Sequence, residues 1–142
     1  CAFDRDHYIE QMVDKVEFEM NVDKSIISQL LHSREEMMST AIGNGISLPH
    51  PRIPIMVGRD KPLLAFFFLK EPLDLNAIDG QPVHTIILLI SQTIKQHLSL
   101  LAHLSYLLLN DNLRTALRER KDGNEIMALI GDIERKKSEK RG

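Results

Sequence analysis

The stretch TAIGNGISLPH at residues 40–50 has the pattern of two short strands joined by a tight turn and followed by a histidine. Residues 40–42 and residues 46–48 are mainly apolar or β-branched, which favours extended structure. Between them, the sequence Gly-Asn-Gly at residues 43–45 consists of residue types that tolerate a positive φ and so suit a hairpin turn. We therefore predict two short strands here, with His50 at the end of the second.

Two longer apolar runs, residues 63–69 and residues 85–90, add to the predicted sheet. Continuous apolar runs of this length, bounded by proline or serine, are typical of strands covered on both faces. Apolar residues at helical spacing predict four helices, around residues 9–16, 26–31, 94–109 and 126–133. A shorter helix is expected between the last two, at residues 112–120. Helices before and after buried strands indicate an α/β sandwich.

Two further local signals concern where the first two helices begin. Asp4 or Asp6 is the expected N-cap of the first helix, and Asn21 or Asp23 is expected near the start of the second, because short polar side chains accept hydrogen bonds from the first free amides.

The chain has 142 residues, with 18 Lys and Arg against 20 Asp and Glu, so its formal net charge is −2. This length fits one domain, expected at residues 1–142, with a charged and frayed tail at residues 134–142. The balanced charge and the absence of Trp argue against direct binding of nucleic acid. A single cysteine, Cys1, excludes an internal disulfide, and no apolar run approaches the roughly 20 residues of a spanning helix. We expect a cytoplasmic domain without membrane insertion.

His50 is the first candidate for chemistry. It lies between Pro49 and Pro51, which restrict the local backbone and present the imidazole at a strand end. Strand ends of open α/β sheets are where ligand crevices form. A histidine with only a structural role in a turn is the alternative interpretation of the same pattern.

His97 and Arg34 are weaker candidates on spacing alone. Thr93 and Gln96 fit a capping box, so His97 would lie in the first or second turn of the long helix, where free amides and the helix dipole favour an anion. A buried structural histidine fits that position as well. Arg34 would lie at the end of the second helix, where an arginine favours the helix dipole, and only closeness to His50 would make it functional.

Several familiar site templates are absent from the sequence. There is no zinc-protease helix, phosphate-binding P-loop, complete dinucleotide fingerprint or hydrolase nucleophile elbow. A metal site built on His50 and His97 would need a third ligand, and none is evident. No cofactor or metal is expected.

Residues 34–50, REEMMSTAIGNGISLPH, resemble the signature of the type 2 enzyme IIA domains (fructose, mannitol and nitrogen-regulatory) of the bacterial phosphoenolpyruvate-dependent phosphotransferase system. In that family an Arg-Glu pair leads into a Ser/Thr-rich strand, a Gly-x-Gly turn and an apolar strand ending in Pro-His. Residues 72–83 resemble the loop before the family's central strand, and residues 96–101 resemble its second histidine motif. The resemblance covers residues 9–133.

The resemblance implies a mixed central sheet flanked by helices on both faces. It also implies that His50 accepts a phosphoryl group on Nε2 from the histidine-containing phosphocarrier protein, with Arg34 and His97 lining the same site. A neutral imidazole is a competent nucleophile near physiological pH. Its other nitrogen needs an acceptor that holds the tautomer, and we expect a backbone carbonyl.

Two destinations for the phosphoryl group remain open. A transport member would pass it to a cysteine of a IIB domain, whereas a regulatory member would use it to switch binding to a target protein. Pro51 and Arg52, which follow the histidine, are closer to regulatory members. Since only Cys1, Ala2 and Phe3 precede Asp4, we also expect that the domain was excised from a longer chain.

Overall fold

The computed structural model describes residues 1–18, 21–54 and 62–141. The chain forms two compact units, Cys1–Leu98 and Ser99–Gly142. Within the first unit lie two helices, α1 (Tyr8–Lys15) and α2 (Lys24–Met37), and a four-stranded sheet. A third helix, α3 (Ile94–Leu107), begins in the first unit and continues into the second.

The sheet contains β1 (Ala41–Gly43), β2 (Ile46–Ser47), β3 (Leu63–Leu73) and β4 (Val83–Ile90) in the order β1-β2-β4-β3. β1 pairs antiparallel with β2, and β3 pairs antiparallel with β4. β2 runs parallel to β4, with Ile46 opposite Thr85. The sheet is therefore mixed, and the short hairpin lies beside its most buried strand.

The predicted strands are confirmed, with longer boundaries for the two apolar runs. Every residue of β4 except His84 is at most 1% exposed, so both faces of this strand are covered, as the continuous apolar pattern predicts. β3 extends to Leu73, beyond the predicted end at residue 69, because its register shifts after Phe68 and pairing resumes opposite Val83.

The core of the first unit joins α1 and α2 to the sheet. Residues at helical spacing on α1, such as Ile9 and Met12, are at most 1% exposed and belong to one apolar cluster with residues of β3 and β4. Burying such side chains contributes roughly 1.5–3 kcal/mol each. The amphipathic pattern of the first helix is thus explained by burial of one face against the sheet.

The predicted N-cap is confirmed for α2 but not for α1. Asp23 caps α2, and its carboxylate accepts from the Ser25 amide at 3.0 Å. The N-cap of α1 is His7, not Asp4 or Asp6. Asp4 instead accepts from the amides of Asp6 and His7, at 3.2 and 3.1 Å, and so stabilises the turn before the helix.

The second unit contains the rest of α3 with α4 (Asp111–Arg118) and α5 (Gly123–Arg141). Asn110 caps α4 by accepting from the Leu113 amide at 3.0 Å. α5 continues to Arg141, whereas the sequence predicts a frayed tail from residue 134. An i, i+3 ion pair between Asp132 and Arg135 supports the helix where the apolar pattern ends.

The mixed α/β fold class is confirmed by these elements. In the part of the chain that the structure describes, no helix is long and apolar enough to cross a membrane.

Candidate functional site

The hairpin of β1 and β2 places His50. Gly43, Asn44 and Gly45 all have positive φ, of 101°, 57° and 78°, which the Gly-Asn-Gly sequence allows and most residues would resist. The Leu48 amide donates to the Thr40 carbonyl at 2.9 Å, which extends the hairpin by one bond beyond the two strands.

The neighbouring strand holds the same segment from its other side. The Leu89 amide of β4 donates to the Pro49 carbonyl at 3.0 Å, and Pro49 is buried. The residue immediately before His50 is thus hydrogen-bonded to the most buried strand of the sheet. The imidazole therefore projects from a backbone that is fixed on both sides.

The tautomer of His50 is set by its own chain. Nδ1 lies 2.7 Å from the Leu48 carbonyl oxygen, which can only accept, so Nδ1 carries the proton. In the neutral ring, Nε2 then holds a lone pair. The expected backbone acceptor is confirmed, and the arrangement leaves Nε2 as the ring nitrogen that is able to act as a nucleophile.

Burial lowers the pKa of half-buried His50. The positive charges of His97 and Arg34 lower it further, while the hydrogen bond to Leu48 acts in the opposite direction. Because a lower pKa keeps the imidazole neutral, the surroundings favour the nucleophilic form at and below neutral pH.

His97 lies in the first turn of α3, with its ring centroid 4.9 Å from that of His50 and the planes tilted by 48°. The predicted cap is confirmed, since the Gln96 amide donates to Thr93 Oγ1 at 3.0 Å. In a capping box the Gln96 side chain would also accept from the Thr93 amide. Here it accepts from the Gln92 amide instead, so only one of the two capping-box bonds is present. Burial, followed by the charge of Arg34, lowers the pKa of His97.

Arg34 completes the cluster from the last turn of α2. Its Nη1 donates to the Met38 carbonyl at 2.7 Å, which holds the guanidinium beside the helix end. Its charge lowers the pKa of both imidazoles, so Arg34 is within electrostatic reach of the His50–His97 pair. This grouping has a nucleophilic nitrogen with hydrogen-bond donors and positive charge close by, which suits transfer of an anionic group such as phosphoryl.

The four remaining histidines contact other residues. His84 lies beside the hairpin turn at Gly45, and its Nδ1 is 2.8 Å from the Thr85 hydroxyl. His7 bonds to Asp4, His32 to Glu10, and His103 to Glu134 in the second unit. Across the described residues, no three His, Cys, Asp or Glu side chains are grouped so that they could hold a metal ion.

Two carboxylates that the sequence analysis did not single out support the hairpin. Glu35 accepts from the amide and the hydroxyl of Thr40, and Asp79 accepts from the amides of Asn44 and Gln81 at 2.8 and 3.0 Å. The two backbone bonds lower the pKa of Asp79. Spacing could not have revealed the Asp79 contact, because Asp79 is 35 residues from its partner Asn44 in the chain.

The family model described as "Phosphoenolpyruvate-dependent sugar phosphotransferase system, EIIA 2" matches residues 2–133. The chain belongs to this family. A nitrogen regulatory protein of Pseudomonas aeruginosa is 30% identical over 129 residues, which cover 89% of this chain and 82% of that protein. The fructose-specific EIIABC component of Bacillus subtilis is 28% identical over 130 residues, which cover 89% of this chain but 20% of that component.

Solved structures of similar proteins agree with this assignment. The nitrogen regulatory protein IIA-Ntr of Neisseria meningitidis has a TM-score of 0.76 at 26% identity, covering 89% of this chain and 86% of that one. IIA mannitol of Escherichia coli has a TM-score of 0.67 at 16% identity, covering 92% and 90%, and shares the fold. The predicted family and fold are confirmed, and the chain is a phosphotransferase component of the type 2 enzyme IIA family.

Proposed function

We propose that His50 is the phosphoacceptor of this enzyme IIA domain and takes a phosphoryl group on Nε2 from the histidine-containing phosphocarrier protein. The observation that carries this proposal is the bond from His50 Nδ1 to the Leu48 carbonyl, which leaves the Nε2 lone pair for attack. The family assignment supports a phosphotransfer role, and the cluster of three side chains supplies the chemistry.

The transfer step follows from the atoms at this site. The lone pair of His50 Nε2 forms the new bond to phosphorus, while the bond from phosphorus to the donor's histidine nitrogen breaks and that nitrogen keeps the electron pair. Arg34 still has N–H donors beyond the one bonded to Met38, and they can bond the equatorial oxygens. His97 can donate a further hydrogen bond from the start of α3, where free amides add positive potential.

In a transport role, the phosphoryl group passes from His50 to a cysteine of a IIB domain, which lies outside this domain. The chain contains one cysteine, Cys1, at its N-terminal residue. The Bacillus subtilis relative is a fructose-specific EIIABC component, and a structure with the same fold is a complex of enzyme IIAMtl with phosphorylated enzyme IIBMtl. These names support a IIB partner.

The alternative is a regulatory module whose phosphorylation state switches binding to a target protein. Nitrogen regulatory proteins are 30% and 34% identical to parts of this chain and support that role. In either role the phosphoryl group originates from phosphoenolpyruvate, so we place the domain in the cytoplasm.

Labelling with radioactive phosphoenolpyruvate, enzyme I and the phosphocarrier protein tests the phosphoacceptor. The wild type should acquire acid-labile label and His50→Ala should not. His103→Ala is the matched control, because His103 bonds Glu134 in the second unit and should label normally. Equal labelling of His50→Ala and wild type would refute the assignment.

Binding measurements with phosphorylated and unphosphorylated protein separate the two destinations. Transfer of label to a purified IIB domain supports a transport role. A target protein that binds the phosphorylated and the unphosphorylated domain with different affinities supports the regulatory role. Equal affinities of every target for the two forms would exclude the switch.

A further inference from the structure

One carboxylate connects the helix that carries Arg34 to the hairpin that carries His50. Glu35 follows Arg34 in the last turn of α2, and its carboxylate oxygens lie 3.2 Å from the Thr40 amide nitrogen. The Thr40 hydroxyl also donates to Glu35. Thr40 immediately precedes β1, so the end of α2 is bonded directly to the start of the hairpin.

The connection continues from Thr40 to the imidazole through a single residue, Leu48. The Thr40 carbonyl accepts from the Leu48 amide at 2.9 Å, and the Leu48 carbonyl accepts from His50 Nδ1 at 2.7 Å. The Thr40 hydroxyl also lies 3.3 Å from the Ser47 hydroxyl. A chain of hydrogen bonds therefore runs from Glu35 through Thr40 and Leu48 to the ring of His50.

This chain of bonds is protected from water at its centre. Thr40 is 3% exposed and Ser47 is 1% exposed, whereas Glu35 is half-buried. Buried donors that lose their acceptor are costly, and hydrogen bonds to a carboxylate are stronger than those between neutral groups. The position of α2 relative to β1 should therefore respond strongly to loss of this acceptor.

We propose that Glu35 is a positioning residue, whose bonds to Thr40 set the placement of the Arg34 guanidinium relative to the His50 imidazole. The effect on phosphoryl transfer rests on the function proposed above. The effect on geometry does not, since it concerns the unphosphorylated protein alone.

The histidine pKa values, measured by NMR on the unphosphorylated full chain, report where Arg34 lies. The Arg34 charge lowers the pKa of His50 and of His97, so Glu35→Ala should raise both values as the guanidinium moves away. Removal of the Glu35 charge by itself has the opposite sign, because loss of a nearby negative charge lowers a histidine pKa. A rise therefore distinguishes displacement of Arg34 from a direct charge effect.

Two variants serve as matched controls. Glu35→Gln keeps an acceptor oxygen for Thr40 and removes the charge, so it should not raise the histidine pKa values. Glu36→Ala removes the neighbouring carboxylate of the same helix, which is exposed and makes none of the bonds to Thr40, and should not raise them either. Only loss of the acceptor, in Glu35→Ala, should do so.

Phosphoryl transfer from the phosphocarrier protein is the second readout. Displacement of a positioning group by a fraction of an ångström to an ångström costs about ten- to a hundredfold in rate, so Glu35→Ala should lose that much while Glu35→Gln and Glu36→Ala stay near the wild-type rate. If Glu35→Ala does not fold, Thr40→Val removes one of the same bonds and should raise the histidine pKa values by a smaller amount.

Unchanged histidine pKa values in folded Glu35→Ala and Thr40→Val would overturn the proposal. Equal effects of Glu35→Ala and Glu36→Ala would overturn it as well. If the wild type itself acquires no label on His50, the proposed function fails, and the pKa comparison still decides the role of Glu35.

Discussion

The turn of the β1–β2 hairpin offers a sharp test, because the ring of His84 lies directly over Gly45. A Cβ at Gly45 would lie 2.2 Å from His84 Cδ2 and 2.4 Å from Nε2, and Gly45 has a φ of +78°. His84 Nδ1 lies 2.8 Å from the Thr85 hydroxyl, so turning the ring away would disrupt that bond. Gly45→Ala therefore meets both backbone strain and a side-chain clash.

Gly80→Ala is the matched control for the strain alone. Gly80 has a φ of +72°, but a Cβ there would meet nothing within 4 Å. The left-handed backbone costs a non-glycine residue about 1–2 kcal/mol at either position. Overpacking against a neighbour costs a further ~1–3 kcal/mol, which applies to Gly45 alone.

The expected result is that Gly45→Ala lowers the free energy of unfolding by about 1–3 kcal/mol more than Gly80→Ala does. Urea denaturation followed by circular dichroism, with both variants measured under the same conditions, gives this difference. The Gly45 carbonyl accepts from the His84 and Thr85 amides, so displacement of this residue should also slow phosphoryl transfer at His50. Equal destabilisation by the two variants would refute the steric argument.

Further predictions concern the site and the second unit. Arg34→Gln should raise the pKa of His50, since the variant loses a positive charge that lowers this pKa. The acid limb of the pH–rate profile for transfer should therefore move to higher pH. An unmoved acid limb would show that the Arg34 charge does not act on His50. His97→Ala should keep the fold but slow transfer or shorten the lifetime of the phosphorylated protein, and wild-type kinetics in the folded variant would remove His97 from the site. Asn110→Ala should destabilise the protein by about 1 kcal/mol through loss of the α4 cap, measured by denaturation, with transfer at His50 unaffected.

Local pattern was sufficient for most elements of this fold, and it was less reliable at their ends. The apolar run at residues 85–90 identified a strand buried on both faces, and the observed β4 is covered on both. The predicted N-cap of α1 was wrong, because Asp4 bonds to the turn before the helix. A carboxylate at that spacing can accept from a turn amide as well as from a helix amide. The extension of β3 depends on a register shift opposite β4, which spacing does not encode.

The sequence by itself determined the hairpin and the position of His50 at its end, because turn residues and prolines act within a few residues. The backbone acceptor at Nδ1 was expected only through the resemblance to the type 2 enzyme IIA family, which implies that Nε2 is the reactive nitrogen. Only the tertiary structure decided that His97 contacts His50 with Arg34 in electrostatic reach, that Glu35 bonds Thr40, and that His84 covers Gly45. Those contacts join different helices and strands, and their distances depend on how the elements pack, which no local pattern specifies.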